Sequence, residues 1–150
     1  MLVEMPPGFV EIEFELDDGD DGTGRLHVRA VADDYSGRAS AWFDLASLHD
    51  FAQKLGAYPL SLDAPVELAG GFADQEQVGI RVRPVGAKGQ ISVAVHLATP
   101  RWPDSRPEAV HEARLELLTT YEQLARFTKE LAAVVRGLQP LARLEPEHLR

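Results

Sequence analysis

The sequence predicts an α+β protein: an antiparallel sheet of about seven short strands with two amphipathic helices packed on it. Three observations lead there. Segments of strictly alternating polarity recur along the chain, as half-buried strands require. Two stretches each carry one apolar stripe at helical spacing, beginning at Leu45 and near Thr120. A sheet with one apolar face and helices with one stripe each can cover one another, which is the α+β layer arrangement.

Phe9–Leu16 places Val10, Ile12, Phe14 and Leu16 on one face and Glu11, Glu13 and Glu15 on the other. Residues 24–32 repeat the pattern, with Leu26, Val28 and Ala30 inward and Arg25, His27 and Arg29 outward. A hairpin around residues 17–23 sets Phe14 opposite Leu26 and Ile12 opposite Val28. The same register sets Glu15 opposite Arg25, Glu13 opposite His27 and Glu11 opposite Arg29. Both faces agree, and a slip of one residue would spoil both. Asp33 and Asp34 make a turn into a third strand, residues 35–43, with small residues at Gly37, Ala39 and Ala41 that leave room beneath the first helix or permit close packing. Trp42, beside Phe43 at the strand–helix junction, is expected in the core or at its edge.

Asp44 caps a helix whose stripe is Leu45, Leu48, Phe51, Ala52 and Leu55; Gly56 ends it and Pro59 prevents its resumption. Strands follow at 65–69, 78–84 and Gln90–Ala98, the last two joined by a turn at 86–89. Residues 99–107 are a loop containing Pro100, Pro103 and Pro107. The segment 108–118 fits two patterns. Ala113, Leu115 and Leu117 alternate as in a strand, while Val110, Ala113, Leu117, Tyr121 and Leu124 fit one face of a long helix. A short repeat favours the strand: Leu48-x-x-Phe51-x-x-x-Leu55 recurs as Leu124-x-x-Phe127-x-x-x-Leu131, 76 positions later. The same offset lays Ala39, Ala41 and Trp42 on Leu115, Leu117 and Leu118, so a strand–helix unit is read twice. Thr119-x-x-Glu122 has the spacing of a capping box, and Leu124, Phe127, Leu131, Val134 and Val135 form the second stripe, closed by Gly137. The chain, 1–150, reads as a single domain with 138–150 as a C-terminal tail.

The formal charge of −9 is unevenly distributed. Residues 1–34 hold ten acids and two bases (−8), residues 35–100 six and five (−1), and residues 101–150 eight of each. The acidity, with no basic run, argues against binding a phosphate backbone, so no nucleic-acid partner is expected. Without cysteine the chain has no disulfide, Fe–S cluster or thiolate metal site, which fits a reducing compartment. No stretch approaches the roughly 18 apolar residues of a membrane span, and residues 1–9 lack the pattern of a signal peptide. A cytoplasmic location and no membrane association are expected.

Motifs that carry chemistry are missing. Asp17-Asp18-Gly19-Asp20-Asp21-Gly22 approaches a calcium loop, but position three is Gly19 and position twelve is Val28, so a solvated hairpin tip is the default and no metal is assigned. His27, His49, His96, His111 and His148 form no His-x-His or His-x-x-x-His pair; His27, His49 and His96 read as polar-face residues. No nucleophile elbow, P-loop or dinucleotide fingerprint occurs, and Gly86-Ala87-Lys88-Gly89 joins two strands, so it is a turn rather than an RNA clamp. Glu11, Glu13 and Glu15 lie about 7 Å apart along a strand, a spacing seen between catalytic carboxylates. Each has a cation opposite it and none is patterned for burial, so no catalytic residue and no cofactor are assigned. Trp102 stands in the proline-rich loop between Arg101 and Arg106, the composition of a binding hot spot; the alternative is a tryptophan that pins its loop to the domain.

The junction Trp42-Phe43-x-Leu45-x-x-Leu48-x-x-Phe51, after a polar hairpin, resembles small uncharacterised bacterial proteins, some of them classed with immunity proteins that neutralise contact-delivered toxins. The likeness spans about residues 9–70 and rests on apolar positions. It implies a non-catalytic α+β protein that acts by binding, and it transfers no functional residue. The leading expectation is therefore a protein that binds a basic protein partner through Asp17, Asp18, Asp20 and Asp21 and through Arg101, Trp102 and Arg106. The alternative is a small-molecule binder or enzyme with a pocket between sheet and helices. Homodimerisation through a sheet edge or the second helix is a third reading.

Overall fold

The computed structural model describes residues 8–17, 22–72, 75–86 and 88–147. Its elements are β1 (Phe9–Leu16), β2 (Thr23–Ala32), β3 (Tyr35–Asp44), α1 (Leu45–Leu55), β4 (Val66–Gly70), β5 (Val78–Val85), β6 (Gln90–Ala98), β7 (Glu112–Thr120), α2 (Tyr121–Val135) and β8 (Ala142–Leu144). The strands form two four-stranded sheets, ordered β3-β2-β1-β8 and β4-β5-β6-β7. The fold is α+β, with eight strands among the described residues divided between two antiparallel sheets rather than seven in one.

The first hairpin has the register that its two faces dictate: Ile12 opposes Val28 and Phe14 opposes Leu26, while Glu11, Glu13 and Glu15 oppose Arg29, His27 and Arg25. The ambiguous segment before α2 is a strand, paired with β6 from Ala98 and Glu112 to Gln90 and Thr120. The eighth strand lies inside the segment that reads as a tail. Leu144 and Ala142 pair with Val10 and Ile12 of β1 and are buried. Three residues are too few to show alternation, so composition gave no sign of it.

The chain is built twice over. Three antiparallel strands, a helix and a further strand occur as β1-β2-β3-α1-β4 and again as β5-β6-β7-α2-β8. An offset of 76 carries Leu45, the start of α1, to Tyr121, the start of α2. The final strand of each unit joins the other unit's sheet: β4 pairs with β5, and β8 pairs with β1. Each helix follows its strand across, α1 packing on β3 and β4, α2 on β7, β8 and β1, and the helices pack on each other. Their buried stripes correspond: Leu48, Phe51 and Leu55 in α1, Leu124, Phe127 and Leu131 in α2.

Between the sheets, β3 packs against β6 and β7. A Cβ at Gly37 would lie 2.8 Å from the Ala113 Cβ and 3.4 Å from the Leu97 Cδ1. Gly37 thus admits the facing sheet, and its small size serves close packing.

Three local expectations are corrected. Trp42 is 60% exposed, because Ala39, Ala41 and Phe43 take the inward positions of β3 and alternation turns Trp42 outward, opposite Arg25. Leu16, the last residue of β1, is likewise exposed. The cap of α2 is Thr120, whose Oγ1 accepts from the Gln123 amide at 3.2 Å. Thr119 is fully buried instead, its hydroxyl donating to the Glu145 carbonyl at 2.8 Å. Among the described residues no helix is long and apolar enough to cross a membrane.

Candidate functional site

Because one face of each sheet is buried, recognition surfaces must come from the outer faces, the loops or the helices. On the first sheet, β1 and β2 present the Glu and Arg ladder. Glu11, only 16% exposed, lies 3.8 Å from Arg29 and 3.5 Å from Arg143, and both guanidinium groups stand over the Phe9 ring at 5.3 and 4.1 Å. His27 opposes Glu13 in register but reaches diagonally: its Nε2 is 3.3 Å from Glu15 Oε1 and its Nδ1 is 2.6 Å from Ser40 Oγ. Glu11 and Glu15 are answered by Arg29, Arg143 and His27, whereas Glu13 and Arg25 form no ion pair among the described residues. A shallow concavity of about 300 Å³ runs beside it, lined by Glu13, His27 and Arg38 among others.

The outer face of the second sheet is the more developed surface. Ala69, Gly79 and Ala94 form the floor of a concavity of about 470 Å³. Around it stand Glu67, Arg81, Glu116, Arg114, His96 and Glu76. Gly79 leaves room for the Glu76 carboxylate: a Cβ at that position would overlap it and displace that side chain. That carboxylate faces the ring of His96, its Oε1 3.8 Å from Nδ1, while Nε2 donates to Glu112 Oε2 at 2.7 Å. His96 is therefore no ordinary surface histidine: it is 16% exposed, held between two carboxylates, with a buried Nδ1 that makes no hydrogen bond. The hydrogen bond from His96, and then the positive charge of Arg114, hold the Glu112 carboxyl below its usual pKa. Glu67 binds Arg81 at 2.8 Å, and Glu116 accepts from the buried Ser92 hydroxyl at 2.8 Å. Among the described residues no three His, Asp or Glu side chains are placed to hold a metal ion.

The long loop between β6 and β7 borders this face. Gln75 clasps it on both sides, its Oε1 accepting from the Arg101 amide and its Nε2 donating to the Arg101 carbonyl, each at 2.7 Å. Trp102 is 54% exposed and Phe72 55%, and their ring centroids are 5.6 Å apart. Trp102 thus pins its loop against another exposed aromatic ring and leaves both presented. Arg106 pairs with Glu108 at 3.6 Å and is 83% exposed. The loop occupies the place of the tight turn at Asp33 and Asp34 in the first unit, so it is where the two units differ most.

Of the residues that the sequence nominates, Arg101, Trp102 and Arg106 thus share one loop. Asp17 closes the first hairpin through its amide, which donates to the Thr23 carbonyl at 3.0 Å. Asp18, Asp20 and Asp21 lie outside the described residues, as does His148. Sequence reasoning misses Phe72, Glu76, Glu112 and Glu116, because the β4–β5 loop and strand β7 bring them together across β6. Pairing β6 with β7 by hand would have placed His96 opposite Arg114 and beside the glutamates of β7.

Comparison with curated proteins and with solved structures gives no match. The family model of the immunity protein WapI-like family matches residues 8–138, which runs from β1 through α2 and includes the carboxylate-lined concavity and the Trp102 loop. The chain belongs to the immunity protein WapI-like family.

Proposed function

We propose that this protein neutralises a protein toxin by binding it, in the cytoplasm of the cell that carries both, without catalysing a reaction itself. The observation that carries the reading is membership of the immunity family across residues 8–138. The exposed pair Phe72 and Trp102, flanked by Arg101 and Arg106, supports it: large aromatic side chains and Arg are the residue types that dominate binding energy at protein interfaces. The two concavities described above lie on outer sheet faces, where a partner has access.

The test is co-expression with a candidate toxin domain from the same genome, read as growth, together with a binding measurement on the two purified proteins. Rescue of growth and a stable complex are expected. A purified pair that forms no complex, in cells that this chain does not rescue, overturns the reading. Replacing Trp102 by Ala removes the larger anchor, and affinity is expected to fall by about tenfold or more, since hot-spot truncations cost at least about 2 kcal/mol.

A further inference from the structure

Two carboxylates in the concavity of the second sheet stand without an Arg or Lys partner. Glu67 is occupied by Arg81, and Glu112 by His96 and Arg114. Glu76 and Glu116 form no ion pair with Arg or Lys among the described residues. Both are nonetheless oriented, Glu116 by the Ser92 hydroxyl and Glu76 by the space that Gly79 leaves for it beside His96. A hydroxyl and an imidazole edge thus fix these acids, and no guanidinium or ammonium group answers their charge among the described residues. The floor beneath them is cut back to Ala69, Gly79 and Ala94, which opens a volume of about 470 Å³ where longer side chains would fill the face. The clasp between Gln75 and Arg101 joins this end of the sheet to the loop carrying Trp102.

We propose that this face is the contact surface for the toxin, and that the concavity receives a cationic side chain, Arg or Lys, from a basic patch of it. This rests on the binding reading given above and names the surface and chemistry of that contact. Charge complementarity selects the occupant. A guanidinium or ammonium group brings the donors and positive charge that Glu76 and Glu116 lack, and the exposed Phe72–Trp102 pair, tied to this end of the sheet through the Gln75–Arg101 clasp, supplies an apolar anchor for the same partner.

The experiment measures binding of the purified toxin domain identified by the co-expression test to the full chain at low and moderate salt. It compares wild type, E76Q/E116Q, A94R and a control on the first sheet, E13Q. E76Q/E116Q keeps size and shape, and A94R supplies the cation from within. Both are expected to keep the wild-type melting temperature, to lose about tenfold or more in affinity, and, for E76Q/E116Q, to show a shallower salt dependence. E13Q is expected to bind as wild type does. Wild-type affinity in both E76Q/E116Q and A94R overturns the placement while leaving toxin binding intact. Failure of wild type itself to bind overturns both.

Discussion

Glu112 shows how a single exposed carboxyl comes to influence stability. Its pKa is lowered in the folded state by the His96 hydrogen bond and by Arg114. A depressed folded pKa stabilises the protein above the unfolded value, here 4.5, and that contribution is lost as pH falls through the folded value. E112Q is therefore expected to lower the denaturation midpoint at neutral pH. The gap from wild type closes as pH drops below about 4.5, and a gap independent of pH would refute the assignment. At the start of α2 the relevant group is Thr120, whose side chain satisfies the Gln123 amide. T120A is expected to cost about 1 kcal/mol in urea denaturation, the usual value of an N-cap. T119V instead strands the Glu145 carbonyl and is expected to cost about 1–3 kcal/mol.

The elements repeat, and so should their energetics. Phe51 and Phe127 hold equivalent places in the two helix stripes, at 2% and 3% exposure. F51A and F127A are each expected to cost about 3–5 kcal/mol, by loss of burial and by the cavity left behind. A large disparity between them would show that the units are not energetically matched. These helices, the first hairpin and β6 were legible from sequence because their patterns are long and one-sided. The hairpin register was legible for a further reason: the apolar pairing of Ile12 with Val28 and the ionic pairing of Glu11 with Arg29 demand the same alignment. Trp42 is misplaced because its place beside Phe43 at the strand–helix junction argues for burial, whereas its position in the alternation of β3 decides otherwise. The surroundings of His96 are legible only in part, through the pairing of β6 with β7. Glu76 comes from a loop and Glu112 from a neighbouring strand, and only the pairing of β6 with β7 makes them neighbours.

At the scale of the whole molecule, the sheets meet through small residues, and enlarging one tests that contact. G37V drives a branched side chain into Ala113 and Leu97 and is expected to cost about 1–3 kcal/mol by overpacking. The same logic makes β8 matter more than its length suggests. Leu144 is 1% exposed against the core, so L144A is expected to cost about 2–5 kcal/mol in the same denaturation assay. A cost near zero would return residues 142–144 to the status of a tail.

The exchange of last strands between the two units also sets an order of events during synthesis. Val10 can be paired on its outer side only by Leu144, so the first sheet to be translated is the last to be closed. Until residues 142–144 clear the ribosome, the outer edge of β1 offers unpaired backbone groups and the apolar side chains beneath them lack part of their cover. Neither half can be released as a finished unit ahead of the other, and contacts so distant along the chain favour slow folding. For the toxin neutralisation proposed above, the interval between translating residue 10 and docking residue 144 is the time for which a newly made molecule cannot yet act.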